Sequence, residues 1–166
     1  MSEKFFETAR QCSQGSTCLK TKTGVVIIKD GQKISSGCNL CAPEGHIHGD
    51  AIFDCPRMST KTGTGYELCR PIHAEVMACL NIRPNRTPEE LAQFASHLHP
   101  TREEILKAFT PDERECLAGA TLYLVGHYWA CEGCRKFAEA VGITDIQFDE
   151  LTGKETEDRY KSNKIT

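Results

Sequence analysis

Gly24-Val25-Val26-Ile27-Ile28-Lys29 runs into Asp30-Gly31 and returns through Gln32-Lys33-Ile34-Ser35-Ser36-Gly37-Cys38. The unbroken aliphatic run predicts a strand over 24–29 buried on both faces, where a half-wet strand would alternate. Asp30-Gly31 is a two-residue hairpin signal, so 32–38 reads as the antiparallel return strand. Upstream, 3–14 reads as a helix with Phe5, Phe6, Ala9 and Cys12 roughly on one face. Downstream, 39–71 has no convincing periodicity but carries Cys41, His46, His48, Cys55 and Cys69. Long irregular stretches in compact domains are usually functional or tied down, and a metal could do the tying.

A helix follows over about 72–82, with Val76, Met77 and Leu80 apolar and Arg83-Pro84-Asn85 ending it. Three helix starts of one kind then recur: Thr87-Pro88-Glu89-Glu90, Thr101-Arg102-Glu103-Glu104 and Thr110-Pro111-Asp112-Glu113. In each, Thr and the Glu three residues on can satisfy orphan amides reciprocally. The first two are expected to bury Leu91, Phe94 and Leu98, then Ile105, Leu106 and Phe109. Thr121–Val125 reads as a buried strand, 132–141 as a helix closed by Gly142, and 143–148 as a further strand. The tail, 149–166, is polar and reads as a surface helix or a frayed end.

With 166 residues, 39% hydrophobic and 26% charged, the chain has the size and composition of a single globular domain, 1–166. Its aliphatic run is far short of the roughly 20 residues a membrane span needs. The acidic start, Met1-Ser2-Glu3-Lys4-Phe5-Phe6-Glu7, lacks a secretory apolar region, so a cytoplasmic protein is expected. A net charge of −3 is not the basic footprint of a duplex-binding protein. Ten cysteines in such a chain point first to metal or catalysis.

Two motifs carry chemistry. His73-Ala74-Glu75 opens one expected helix, and Cys131-Glu132-Gly133-Cys134 opens another. One imidazole and two thiolates make three protein ligands, the number a catalytic zinc takes when its fourth position is left to water. Both groups sit at helix N-termini, where the dipole favours thiolate over thiol. Glu75 is close enough to take a proton from that water, whose pKa zinc lowers from about 15.7 toward about 7. Alone, Cys-x-x-Cys could be a redox pair or half of a structural zinc site, and His-x-Glu means little. A purely structural site, however, has no use for an unliganded carboxylate beside the metal.

Together these motifs resemble the zinc-dependent cytidine/deoxycytidylate deaminases, whose signature is His-x-Glu followed by Pro-Cys-x-x-Cys, with the Glu as proton shuttle. The resemblance is nearest to the deoxycytidylate (dCMP) branch. It is carried by Thr17-Cys18-Leu19-Lys20, Gly24-Val25-Val26-Ile27, Gly37-Cys38-Asn39, Glu67-Leu68-Cys69-Arg70-Pro71-Ile72-His73-Ala74-Glu75 and Gly119-Ala120-Thr121-Leu122-Tyr123. It implies an α/β, three-layer α/β/α cytidine deaminase-like fold with a central mixed sheet, interrupted here by a helical insertion at 83–118. It also implies a homo-oligomer, a small nucleotide substrate, and hydrolysis of dCMP to dUMP with release of ammonia. His73, Cys131 and Cys134 would hold the catalytic zinc, with Glu75 catalytic.

Asn39 matches the family's asparagine that bonds the substrate. Ala130 stands where the family has Pro, and His127-Tyr128-Trp129 replaces the usual lead-in, so Tyr128 and Trp129 are candidate substrate contacts. Lys20 replaces an Arg, keeping the charge but losing the fork. This unusual loop leaves open another amino-bearing base or nucleoside, free or in RNA or single-stranded DNA. A non-enzymatic zinc-stabilised module is the remaining reading. A second, structural zinc is expected on Cys18, His48, Cys55 and Cys69: the cysteines match family positions, and four such ligands close a tetrahedron. His46 and Cys41 compete with His48 for the fourth place.

Overall fold

The computed structural model describes residues 2–40, 57, 59–61, 64–65, 68–96 and 98–162. Its elements are α1 (Ser2–Ser13), β1 (Gly24–Lys29), β2 (Gln32–Cys38), α2 (Ala74–Leu80), α3 (Pro88–Ala92), α4 (Arg102–Lys107), α5 (Pro111–Leu117), β3 (Thr121–Val125), α6 (Glu132–Ala140), β4 (Asp145–Phe148) and α7 (Glu150–Ser162). The strands form one sheet in the order β2-β1-β3-β4. β1 is antiparallel to both neighbours and β3 is parallel to β4, so the sheet is mixed. Asp30 and Gly31 both take positive φ, 51° and 77°, as a twist-matched two-residue hairpin turn requires.

The aliphatic run of β1 is explained by two separate cores. Val25 and Ile27 face a large cluster with Ile72, α2, Leu122, Leu124 and Phe137. Val26 and Ile28 face Phe6, Ala9 and Val125 on the opposite side, where α1 lies. Two glycines set the spacing of these layers. A Cβ on Gly24 would come within 2.2 Å of the Ala9 carbonyl oxygen in α1. One on Gly37 would come within 2.4 Å of the Ala78 nitrogen in α2. The three-layer arrangement therefore depends on close helix–strand approach on both faces.

The insertion forms the three expected short helices. Thr87 with Glu90, and Thr110 with Glu113, make complete reciprocal caps, while Thr101 accepts from the Glu104 amide. Phe94 and Phe109 pack edge-on against Phe137 of α6 at 5.6 and 6.1 Å. The Arg86 guanidinium, stacked over Phe109, donates to the Leu80 and Ala108 carbonyls at 2.8 Å each. The Ser96 amide donates to the Pro71 carbonyl at 3.0 Å, tying the insertion to the segment that leads into His73.

One expectation needs correction. Leu98 is 49% exposed rather than buried. α3 ends at Ala92, so the helical spacing that would align Leu98 with Leu91 and Phe94 is lost. Of the two readings of the tail, the helix holds over Glu150–Ser162, and α7 docks with Gly153 and Thr156 buried. Its start is held by Asp149, which accepts from the Thr152 hydroxyl at 2.8 Å and pairs with Arg10 at 3.4 Å.

Candidate active site and metal centre

His73 is the N-cap of α2 and Cys131 the N-cap of α6, so two helix starts on one face of the sheet meet. His73 Nδ1 lies 3.2 Å from Cys134 Sγ and 3.5 Å from Cys131 Sγ. Zn–N near 2.0 Å and Zn–S near 2.3 Å give tetrahedral nitrogen–sulfur edges of about 3.5 Å. The donor types and spacings fit zinc. Among the described residues these three form the group of His, Cys and acidic side chains placed to hold a metal.

The thiols and imidazole are already polarised. The Cys131 thiol is drawn down to about 3 by a hydrogen bond from the Cys134 thiol, against burial, with His73 and the Cys134 amide adding to it. Cys134 moves up for the same reason, reinforced by burial. Burial lowers the His73 imidazole, but Cys131 and Glu75 outweigh it and the net shift is upward. A divalent cation would replace these shared protons as counter-charge. Glu75, in the first turn of α2, is only 5% exposed. Burial raises its pKa, opposed chiefly by His73. A buried carboxyl beside the ligands and not required as one is suited to moving protons.

The centre opens into a cavity of about 600 Å³. His73, Glu75 and Cys131 line it, together with Lys20, Thr21, Thr23 and Asn39, and with Ser96 and His99 of the insertion. His127, Trp129 and Tyr160 supply aromatic surface. A smaller cavity of about 270 Å³ between Phe94, Ile105 and Phe137 shares His73, His99 and Cys131 with it. His99 holds a left-handed backbone, φ 45°, where the two meet.

The expected substrate residues are placed differently from one another. Asn39 reaches the cavity, but its Oδ1 accepts from Ser16 Oγ and the Thr23 amide, and its Nδ2 donates to the Thr21 carbonyl at 2.8 Å. It braces the loop over 16–23 as well as facing the site. Trp129 lines the cavity and is 42% exposed. Tyr128 does not line the cavity; it stacks on His127, which does, with centroids 5.2 Å apart. Burial draws His127 down to about 4. Cys18 and Cys69 are buried together in a cluster of their own, beside the cavity. His48 and Cys55, with the alternatives His46 and Cys41, lie outside the described residues.

The sequence gives no sign of Tyr160 as a cavity residue, nor that Lys20 is buried. Lys20 is buried, its Nζ donating to the Arg57 carbonyl at 2.8 Å and the Thr60 carbonyl at 2.6 Å. Tyr160 arrives on α7, whose Arg159 donates to the Lys20 carbonyl at 3.1 Å. The available signal was the small pair Gly153 and Thr156, one turn apart, marking the face that can dock closely. Thr156 Oγ1 donates to the Gly126 carbonyl at 2.8 Å there.

The profile of the family described as "Cytidine and deoxycytidylate deaminase zinc-binding region" matches residues 1–150. The chain belongs to that family. No curated protein sequence matches it. Among solved structures, it resembles a dCMP deaminase from cyanophage S-TIM5 in complex with dCMP and dUMP: 17% identity, 99% of this chain and 92% of that chain covered, TM-score 0.51. The apo form of that enzyme gives 16% identity, 95% and 90% coverage, and a TM-score of 0.47. A Thermotoga maritima diaminohydroxyphosphoribosylaminopyrimidine deaminase/5-amino-6-(5-phosphoribosylamino)uracil reductase matches at 18% identity over 97% of this chain and 34% of that one, TM-score 0.42. At these identities the likeness is one of fold, a mixed-sheet cytidine deaminase-like α/β domain. No described helix is long and apolar enough to cross a membrane.

Proposed function

We propose that this deaminase-family chain hydrolyses the exocyclic amine of a cytosine nucleotide, converting dCMP and water to dUMP and ammonia. The observation that carries the reading is the buried Glu75 carboxyl beside the His73, Cys131 and Cys134 donors, lining a cavity of about 600 Å³. Zinc held by those three residues would supply the Lewis acid that makes water a nucleophile near neutral pH. Glu75 takes the proton from the attacking water and passes it to ring N3. It then carries the second proton to the amine at C4, so that ammonia leaves as a neutral molecule. The low exposure of Glu75 keeps bulk water from short-circuiting these transfers.

Asn39 bonds the substrate from the side wall, Trp129 stacks on its ring, and Tyr128 supports that stack through His127. A second zinc on Cys18, His48, Cys55 and Cys69 would pin the stretch before α2 to the loop after α1. The joint burial of Cys18 and Cys69 supports it. The chain would act as a single domain in a cytoplasmic homo-oligomer on a free nucleotide, not on duplex nucleic acid. The residues 127–130, unlike the family's usual lead-in, favour keeping another amino-bearing ring as the second reading.

The test is ammonia release by the zinc-loaded chain over a panel of cytosine, cytidine, dCMP, dCTP, purine and pterin amines, and a cytosine-containing oligonucleotide. The highest kcat/KM is expected for dCMP. Faster turnover of a different ring, or no turnover of any cytosine compound, would overturn the reading. Metal analysis tests the second site separately: two zincs per chain, falling to one in Cys55→Ser.

A further inference from the structure

A second pair of thiols lies outside the metal centre. Cys12 sits in the last turn of α1 and Cys38 closes β2. The two side chains are hydrogen-bonded to each other, and both are partly exposed. Backbone packing holds them there: α1 crosses β1 at Gly24, and a Cβ at Gly15, just past α1, would lie 3.6 Å from Cys38 Sγ.

We propose that Cys12 and Cys38 are a reversible oxidation site, which a hydroperoxide converts to an intramolecular disulfide. The Cys12 thiolate attacks one peroxide oxygen; the O–O bond breaks, and the second oxygen leaves as hydroxide or alkoxide. Cys12 is then a sulfenic acid. Cys38 loses its proton, its sulfur attacks the Cys12 sulfur, the S–O bond breaks, and hydroxide leaves as water. Two thiols are oxidised, one hydroperoxide is reduced to water or an alcohol, and one further water forms.

The division of labour follows from the surroundings. The hydrogen bond from Cys38 pulls Cys12 down to about 6 against burial, with Ser36 and nearby Lys33 in support. A thiolate in a part-exposed site is the reactive form. Cys38 is held as a thiol by the same contact. Once Cys12 is oxidised its negative charge is gone, and Cys38 can ionise and close the bond. Cys79, by contrast, is buried and pushed up to about 12.

The site also touches the cavity wall. Cys38 precedes Asn39, and the loop after Cys12 carries Ser16, whose hydroxyl donates to the Asn39 carbonyl at 2.9 Å. A bond between them would brace both ends of that bracket.

The test treats the zinc-loaded full chain with a few equivalents of hydrogen peroxide near pH 7, followed by alkylation and peptide mapping. The expected product is a peptide linked through Cys12 and Cys38, lighter by two hydrogens and reversed by dithiothreitol. The thermal midpoint should rise by about 5–10 °C, and Cys12→Ser should lose both effects. Three outcomes would overturn the proposal. Peroxide could leave Cys12 and Cys38 fully alkylatable while exposed Cys116 is oxidised. Linkage could run instead through Cys131 or Cys134 with loss of zinc. The midpoint rise could persist in Cys12→Ser.

Discussion

Glu75→Gln isolates proton transfer from everything else the site does. The side chain is 5% exposed, so no bulk water reaches the position to replace the lost base. Gln matches Glu in volume and retains an oxygen acceptor for the Cys134 thiol that contacts it. Packing and the His73, Cys131 and Cys134 donor set should therefore be preserved. General acid–base transfer contributes about 10²–10⁴-fold to an enzymatic rate. In the proposed reaction Glu75 moves two protons in one turnover, so the loss should lie at the upper end or beyond. A fall in kcat of at least about 10³-fold corresponds to roughly 4 kcal/mol in the barrier. The assay is ammonia release from dCMP, with zinc content and thermal midpoint measured on the same preparation. Both should match the wild type. A variant that keeps a tenth of the activity with full zinc would refute the shuttle role. A variant that loses zinc would show that Glu75 holds the centre together.

Cys134→Ser should behave in the opposite way, losing zinc and stability together, because it removes a donor whose sulfur lies 3.2 Å from His73 Nδ1; metal analysis beside the melting curve reads this. Gly37→Ala places a methyl within 2.4 Å of α2 backbone, where no flexible side chain can yield, so a loss of about 1–3 kcal/mol is expected in chemical denaturation. Asp149 gives a pH test. Burial raises its pKa, but hydrogen bonds from Thr152 and Arg10 outweigh that, and the net shift is downward. Its contribution is therefore present above the unfolded carboxyl value near 3.9 and is lost as pH falls through the lower folded value. Asp149→Asn should flatten this acid limb of the stability curve.

Much of this architecture is legible in the sequence because the signals are local and redundant. The β1–β2 hairpin is announced by its turn and by an aliphatic run that only a doubly covered strand would carry. The insertion helices are announced by Thr and Glu at capping spacing. The metal motif is legible for a related reason: donor types and their offsets at helix starts constrain one another. The register between β1 and β3 is not legible, since their pairing is antiparallel and distant in the chain. Leu98 shows the limit of extending a periodic pattern past the point where α3 ends. Leu98 lies in the non-helical stretch between α3 and α4, where the periodic pattern no longer sets which way a side chain faces.

The polar residues mark the deeper limit, because a polar side chain is read as solvated until its partners are known. Lys20 reads as a charge kept where the family has Arg, yet its ammonium is held inside the protein by two backbone carbonyls, at 2.8 and 2.6 Å. Asn39 reads as a substrate ligand, yet three of its hydrogen bonds go to the loop over 16–23. α7 reads as a solvated tail because its composition is polar, yet it docks by small residues and brings Tyr160 to the cavity. In each case the partner is a backbone group or a small residue, which carries no distinctive sequence signal. These three contacts converge on one wall: Arg159 of α7 holds the Lys20 carbonyl, and Asn39 holds Thr21 and Thr23. The metal side of the cavity is thus written in side chains of recognisable chemistry, whereas the lining around Lys20, Thr21, Thr23 and Asn39 is held by main-chain contacts. In the proposed reaction the substrate would meet that wall as well as the metal side, so the motifs identify the chemistry before they identify the substrate.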